Sequence, residues 1–118
     1  MAGGFLTGKH QQGTPAEGTR FSLPGGTAER YQDRYWQDQM FSTVDALRGI
    51  AAEAEMTVAQ LAVAWQFTNP VVTSPIIGAS KPEQLTDAVT ALRTPLSGEL
   101  TQRLDVLTRE YRFGDNAR

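Results

Sequence analysis

The 118-residue chain is 40% hydrophobic, 20% charged and 8% aromatic, a balance that favours a folded domain over a disordered one. Eleven Lys and Arg against thirteen Asp and Glu leave a net charge of −2, so local basic sites are open but a bulk-charge binder of nucleic acid or acidic membrane is not indicated. Cysteine is absent, which removes disulfides, thiol nucleophiles and thiolate metal sites, and the single histidine, His10, cannot build a histidine-rich metal centre. No apolar run approaches the ~18 residues of a membrane span, and the N-terminus lacks a basic-then-apolar leader. A cytoplasmic protein with no membrane or nucleic-acid partner is the expectation.

Residues 1–40 are punctuated by Gly3, Gly4, Gly8, Gly13, Gly18, Gly25 and Gly26, with Pro15 and Pro24, and show no sustained periodicity. They read as one long loop, a length that is usually functional or disordered. From Phe41 the pattern changes. Phe41, Val44, Leu47, Ile50, Ala51 and Ala54 recur at spacings of three and four and predict an amphipathic helix. Thr57-Val58-Ala59-Gln60 has the form of a capping box and opens a second helix, with Val58, Leu61, Ala62 and Trp65 inward and Asn69-Pro70 as its stop.

Val71-Val72-Thr73-Ser74-Pro75-Ile76-Ile77 is branched and apolar and predicts a buried strand, its pairing part from Ile76 onward because Pro75 donates no ladder bond. After Gly78-Ala79, Ser80 to Glu83 predicts a second capping box, then a helix with Leu85, Ala88, Val89 and Leu92 on one face. A last helix is expected from near Ser97, carrying Leu100, Leu104, Leu107 and Tyr111. One strand cannot form a sheet. The pattern therefore predicts a piece of a larger α/β domain.

Two segments carry candidate chemistry. In Gly3-Gly4-Phe5-Leu6-Thr7-Gly8-Lys9 the glycines let backbone amides approach an anion and the lysine adds a compact charge; the alternative is an ordinary turn. Its spacing is not that of a Walker A loop. In Ile76-Ile77-Gly78-Ala79-Ser80-Lys81-Pro82-Glu83-Gln84-Leu85 a strand, a small-residue turn and a helix start would present free amides, a hydroxyl and a lysine to a phosphate. The alternative there is a plain capped helix in which Ser80 caps and Lys81 is solvated.

Taken together, these segments resemble the C-terminal third of an aldo-keto reductase. The matching text runs from Ala2-Gly3-Gly4-Phe5-Leu6-Thr7-Gly8-Lys9 through Arg20, Ile50-Ala51 and Ala59-Gln60-Leu61-Ala62-Val63-Ala64-Trp65 to Pro75–Leu85, in the family's order over essentially the whole chain. The resemblance implies an α/β fold: a C-terminal fragment of a TIM (β/α)8 barrel, mostly helical, with one or two barrel strands, since a complete barrel needs roughly 250 residues. Residues 1–118 would be a partial reductase domain. Residues 1–40 would be the cofactor-side loop after the seventh strand, and 41–118 the outer helices, eighth strand and C-terminal helices.

The resemblance also implies NADP(H) as cofactor and reduction of aldehydes or ketones by the parent enzyme. Gly4, Gly8 and Lys9 would border the pyrophosphate and its ribose, and Arg20 would reach over the cofactor. Gly78 lies in the turn before the phosphate site, Ser80 and Lys81 would hold the 2′-phosphate, and Gln84 and Asp87 would lie along the adenosine. Ala88 stands where family members often have Asn, and His10 where they often have Tyr; His10 is expected at the surface. Nothing in the chain resembles the family's catalytic Asp, Tyr, Lys and His, so no catalytic or metal-binding residue is assigned and no independent turnover is expected. Tyr31, Tyr35 and Tyr111 are expected to pack with solvated hydroxyls, and Trp36 either to border the substrate mouth or to pack at a helix entry. Met1 stands where the family usually has Leu, which fits a truncated reading frame or a trimmed chain. The alternatives to a cofactor-binding segment are a non-catalytic fragment that self-associates or complements a chain supplying the missing strands, or a degenerate truncated product.

Overall fold

The computed structural model describes residues 1–79 and 81–113. Among them lie five α-helices: α1 (Thr27–Tyr35), α2 (Asp38–Glu53), α3 (Val58–Gln66), α4 (Gln84–Arg93) and α5 (Gly98–Leu107). Short 3-10 segments cover Ala2–Thr7, Arg20–Ser22 and Arg109–Phe113.

The periodic segments fold as their patterns require. On α2 the buried residues are Phe41, Thr43, Val44, Leu47, Ile50 and Ala51. The helix closes on Glu55, which takes a left-handed φ of 53°; the Glu55 amide donates to the Ala52 carbonyl at 3.2 Å and the Met56 amide to that of Ala51 at 2.9 Å. This paired closure satisfies carbonyls that a helix end leaves unbonded. α3 opens on the expected capping box, with Thr57 Oγ1 accepting from the Gln60 amide at 3.0 Å and Gln60 Oε1 from the Thr57 amide at 2.9 Å. α5 opens on Ser97, whose hydroxyl accepts from the Leu100 amide at 3.1 Å.

Three apolar clusters result. Leu47, Ile50, Ala51, Val58, Leu61 and Leu104 join α2, α3 and α5. Phe5, Phe21, Phe41 and Val44 pack the N-terminal segment onto α2. Val63 and Ala64 of α3 meet Ala91 of α4, with Ala88, Ile77, Met56 and Leu96 at the margin. Polar ties run between the same helices: Trp65 Nε1 donates to Asp105 at 2.9 Å, and Arg103 pairs with Glu53 at 2.7 Å.

Four expectations need correction. Residues 1–40 are not one loop, because they contain α1 and two 3-10 segments wound around an aromatic cluster. Residues 71–77 form no strand among the described residues; Ile76 is fully exposed and Val71 86% exposed. A single extended segment has no neighbour to take its amides and carbonyls, so its apolar side chains gain no sheet to bury against. The mostly helical character holds, while barrel strands do not appear in the described residues. α4 begins at Gln84 behind Glu83, which makes no side-chain cap; Ser80, the expected cap, lies outside the described residues. The helix also turns its Ala88–Ala91 edge to α3, so Leu85, Val89 and Leu92 are exposed instead of buried. Finally, Tyr111 lies past α5, in the 3-10 segment.

Candidate functional site

The Gly-rich segment is held in place by packing from below. Phe5 and Phe21, 1% and 0% exposed, form an aromatic cluster with Trp36 and Phe41; the centroid separations from Phe5 are 5.8 Å to Phe21 and Trp36 and 4.9 Å to Phe41. His10 completes the cluster, with centroids 5.7 Å from Phe5, 4.9 Å from Phe21 and 5.4 Å from Trp36. It is only 5% exposed, so the expected surface histidine is a buried one. Burial pushes its pKa down, and the Lys9 ammonium adds to the fall. Its Nε2 is buried without a hydrogen-bond partner. Trp36 is settled as a packing residue of this cluster, its Nε1 donating to the Gly13 carbonyl at 2.9 Å.

Gly4, Gly8 and Lys9 come together around that core. Gly4 has φ 101°, a conformation that side chains rarely adopt, and a Cβ there would stand 3.8 Å from His10 Nε2 and from Lys9 Cε and 4.0 Å from Lys9 Nζ. Lys9 thus lies beside a backbone site whose positive φ favours glycine, next to the unpaired imidazole nitrogen. Its side chain is exposed and, among the described residues, carries no ion pair. Gly8 ends the first 3-10 segment at φ 73°, its amide donating to the Phe5 carbonyl. A Cβ on Gly8 would lie 3.3 Å from Val58 Cγ2 and 3.6 Å from Arg48 Nε, so the turn is pressed between α2 and α3.

Sequence reasoning missed Arg48. Its Nη2 donates to the Gly8 carbonyl at 2.5 Å and to the His10 carbonyl at 3.1 Å, and Asp45 accepts from its Nη1. A signal was present: position 48 follows Val44 by four and Phe41 by seven, which puts a cation on the apolar stripe of α2.

Arg20 lies on the second 3-10 segment. Its Nη1 donates to the Tyr31 hydroxyl at 3.3 Å, and its guanidinium lies 5.7 Å from the centre of that ring. Tyr111, expected to have a solvated hydroxyl, is instead partly buried; that hydroxyl shares a hydrogen bond with Thr43 at 2.8 Å, and desolvation raises its pKa.

The second set of residues is less assembled. Gly78 has open space around it and Lys81 is exposed. The amides of Gln84, Leu85 and Thr86 donate to the carbonyls of Lys81, Pro82 and Glu83 at 3.1, 3.0 and 3.2 Å. The first turn of α4 therefore does not present the row of free amides that the sequence predicted. Gln84 is exposed, whereas Asp87 is half-buried and accepts from Thr57 Oγ1 at 3.2 Å. That bond links the two sets, because Thr57 caps α3 and the next residue, Val58, backs Gly8. Both flank the start of α3.

An open cavity of about 550 Å³ lies elsewhere, between α2 and α5, lined by Ile50, Glu53, Glu99, Arg103, Val106 and Leu107 among others, and it contains none of these residues. Among the described residues no three His, Asp or Glu side chains could share a metal, and no helix is long and apolar enough to cross a membrane.

Residues 1–109 match the model of the aldo/keto reductase family. The chain is 38% identical over 95 residues to a probable voltage-gated potassium channel subunit beta of Oryza sativa subsp. japonica, covering 78% of this chain and 27% of that protein. It is 32% identical over 92 residues to L-glyceraldehyde 3-phosphate reductase of Escherichia coli K12, covering 78% of this chain and 26% of the relative. It is 28% identical over 115 residues to aldo-keto reductase pigE of Monascus ruber, covering 89% and 34% respectively. The chain thus spans about a quarter to a third of the length of these curated relatives. With the family's text running through the Gly4–Lys9 turn, the α3 cap and α4 alike, the chain belongs to the aldo/keto reductase family of oxidoreductases, which generally use nicotinamide cofactors.

Proposed function

We propose that this chain is the NADP(H)-binding segment of an aldo-keto-reductase-type oxidoreductase whose parent activity is NADPH-dependent reduction of aldehydes or ketones. The observation that carries this reading is the Gly4–Lys9 turn. An exposed ammonium stands beside a backbone position whose positive φ favours glycine, next to an unpaired imidazole nitrogen, and α2 and α3 hold the turn from behind. A glycine-rich turn with a lysine ammonium beside its backbone fits a pyrophosphate. Gly4, Gly8 and Lys9 would face the pyrophosphate and ribose, and Arg20 would lie over the dinucleotide. Lys81, with Ser80 and the Gly78 turn, would take the 2′-phosphate, and Gln84 and Asp87 the adenosine. Asp87 would do so while still accepting from Thr57. When bound, the cofactor supplies a hydride. This chain's residues bind and orient it, and they include no catalytic acid.

The test is a thermal melt with NADPH, NADH or neither, followed by tryptophan fluorescence. A ligand that binds only the folded state adds about 2.7 kcal/mol at one hundred times its Kd. A Tm that rises with NADPH and less with NADH supports the reading; indifference to both removes it. Lys9→Met is expected to abolish most of the NADPH shift.

A second reading, association with another copy or with a chain that supplies barrel strands, is favoured by the exposed Ile76, Leu85, Val89 and Leu92. Sedimentation of a concentration-independent monomer would count against self-association.

A further inference from the structure

The Arg48 guanidinium has one nitrogen, Nη2, bonded to the carbonyls of both Gly8 and His10, the residues on either side of Lys9. Those two peptide groups set the direction in which the Lys9 backbone faces. Asp45, one turn earlier on α2, accepts from the other guanidinium nitrogen and so orients the fork. Gly8 is also closed in by Arg48 Nε and Val58 at the position of its absent Cβ, so the turn cannot relax toward α2 or α3. The carbonyls face a cation from α2, and Lys9 projects a second cation to the exposed side. One guanidinium therefore anchors the turn while leaving the ammonium without a partner among the described residues.

We infer that Arg48 is the positioning residue of Lys9: it clamps the Gly8–His10 backbone so that the Lys9 ammonium is presented over Gly4 to a pyrophosphate. The inference rests on the cofactor-binding reading above for the identity of the ligand, but the clamp itself does not. Lysine at 48 would reach one carbonyl at a time with a point charge, whereas the guanidinium holds both and Asp45 together. Losing hydrogen bonds from a charged donor is expected to weaken ligand held by the presented lysine by about tenfold.

The experiment compares the wild-type chain with Arg48→Met, Arg48→Lys, Lys9→Met and the Arg48→Met/Lys9→Met double variant. Two quantities are read: backbone amide exchange without ligand, and NADPH affinity by titration. Faster exchange of the Gly8 amide, which is bonded to the Phe5 carbonyl, in Arg48→Met, partly restored in Arg48→Lys, supports the clamp. So does an NADPH Kd that rises about tenfold in Arg48→Met and no further in the double variant than in Lys9→Met alone. A merely structural arginine would instead weaken binding additively in the Lys9→Met background, and that result overturns the inference. Unchanged exchange of the Gly8 amide overturns it as well. If the wild-type chain binds no NADPH, the cofactor reading falls by itself and the exchange result alone decides the clamp.

Discussion

His10 places a titratable ring inside an aromatic cluster where a proton has no counter-charge. The groups closest in charge are cations: Lys9 beside it in sequence and Arg48 on its own carbonyl. Its pKa is lowered in the folded chain from the ordinary 6.5, so the unfolded chain takes up the proton first. The stability that the neutral ring contributes is complete above about pH 6.5 and is lost as pH falls through the lower, folded value. Tm should therefore decline as pH falls below about 6.5 in the wild-type chain. His10→Phe, which fills the cluster without titrating, should flatten that slope; an equal slope in both would show that His10 is not its source. Gly8 makes a second prediction at this scale. Its φ of 73° and the 3.3 Å approach of Val58 both oppose a side chain, so Gly8→Ala should cost about 1–3 kcal/mol in denaturant unfolding. Neither effect was legible beforehand. The glycines and the lysine stand out in sequence, but the burial of His10 depends on Phe21 and Trp36, brought in from residues 11 and 26 positions away.

At the scale of elements, the helices with complete local signals were readable and the one without them was not. The α3 cap carries both halves of its box within four residues, and Thr57 also donates to Asp87 on α4. Thr57→Ala should thus cost more than an isolated cap, whose loss is typically ~1 kcal/mol, and the excess should vanish in an Asp87→Ala background. A double-mutant cycle in urea measures it. α2 ends on a left-handed glutamate, and Glu55→Gly should be neutral to stabilising by up to ~1 kcal/mol, since the strain relieved exceeds the chain entropy added. By contrast α1 was hidden in the Gly-rich region. It buries no residue fully and begins after Gly26, so it offers neither a strong apolar stripe nor a side-chain cap. The strand predicted at residues 71–77 failed for the opposite reason: its composition is right, but strand structure is a property of pairs.

Across the whole molecule, the α2–α3–α5 cluster is the main shared core. Leu61, 1% exposed, touches the elements on both sides, and Leu61→Ala should lower stability by about 2–5 kcal/mol. A loss under 1 kcal/mol in chemical unfolding would mean that this cluster does not hold the domain. α4 packs closely on α3 through small residues, Ala88 and Ala91 against Val63 and Ala64, with the Thr57–Asp87 bond beside them. Its outer apolar row is open. The candidate site divides in the same way. The Gly4–Lys9 half is built on the aromatic cluster, Arg48 and Val58, while the Lys81–Asp87 half stands at the start of α4.

Local spacing determined what needs only neighbours in the chain: the stripes of α2 and α5, the Thr57–Gln60 box, the Ser97 cap, the glycine–lysine turn as a candidate anion site and the resemblance that identified the family. These depend on side chains within one or two turns, where covalent connection keeps the partners together. The tertiary structure decided the rest. It buried His10, put Arg48 on both sides of Lys9, tied Asp87 to the α3 cap, turned α4 onto its alanines and gave residues 71–77 no strand partner among the described residues. Each of those outcomes is a contact between distant segments. Its free energy exists only once packing has brought both partners to the same place.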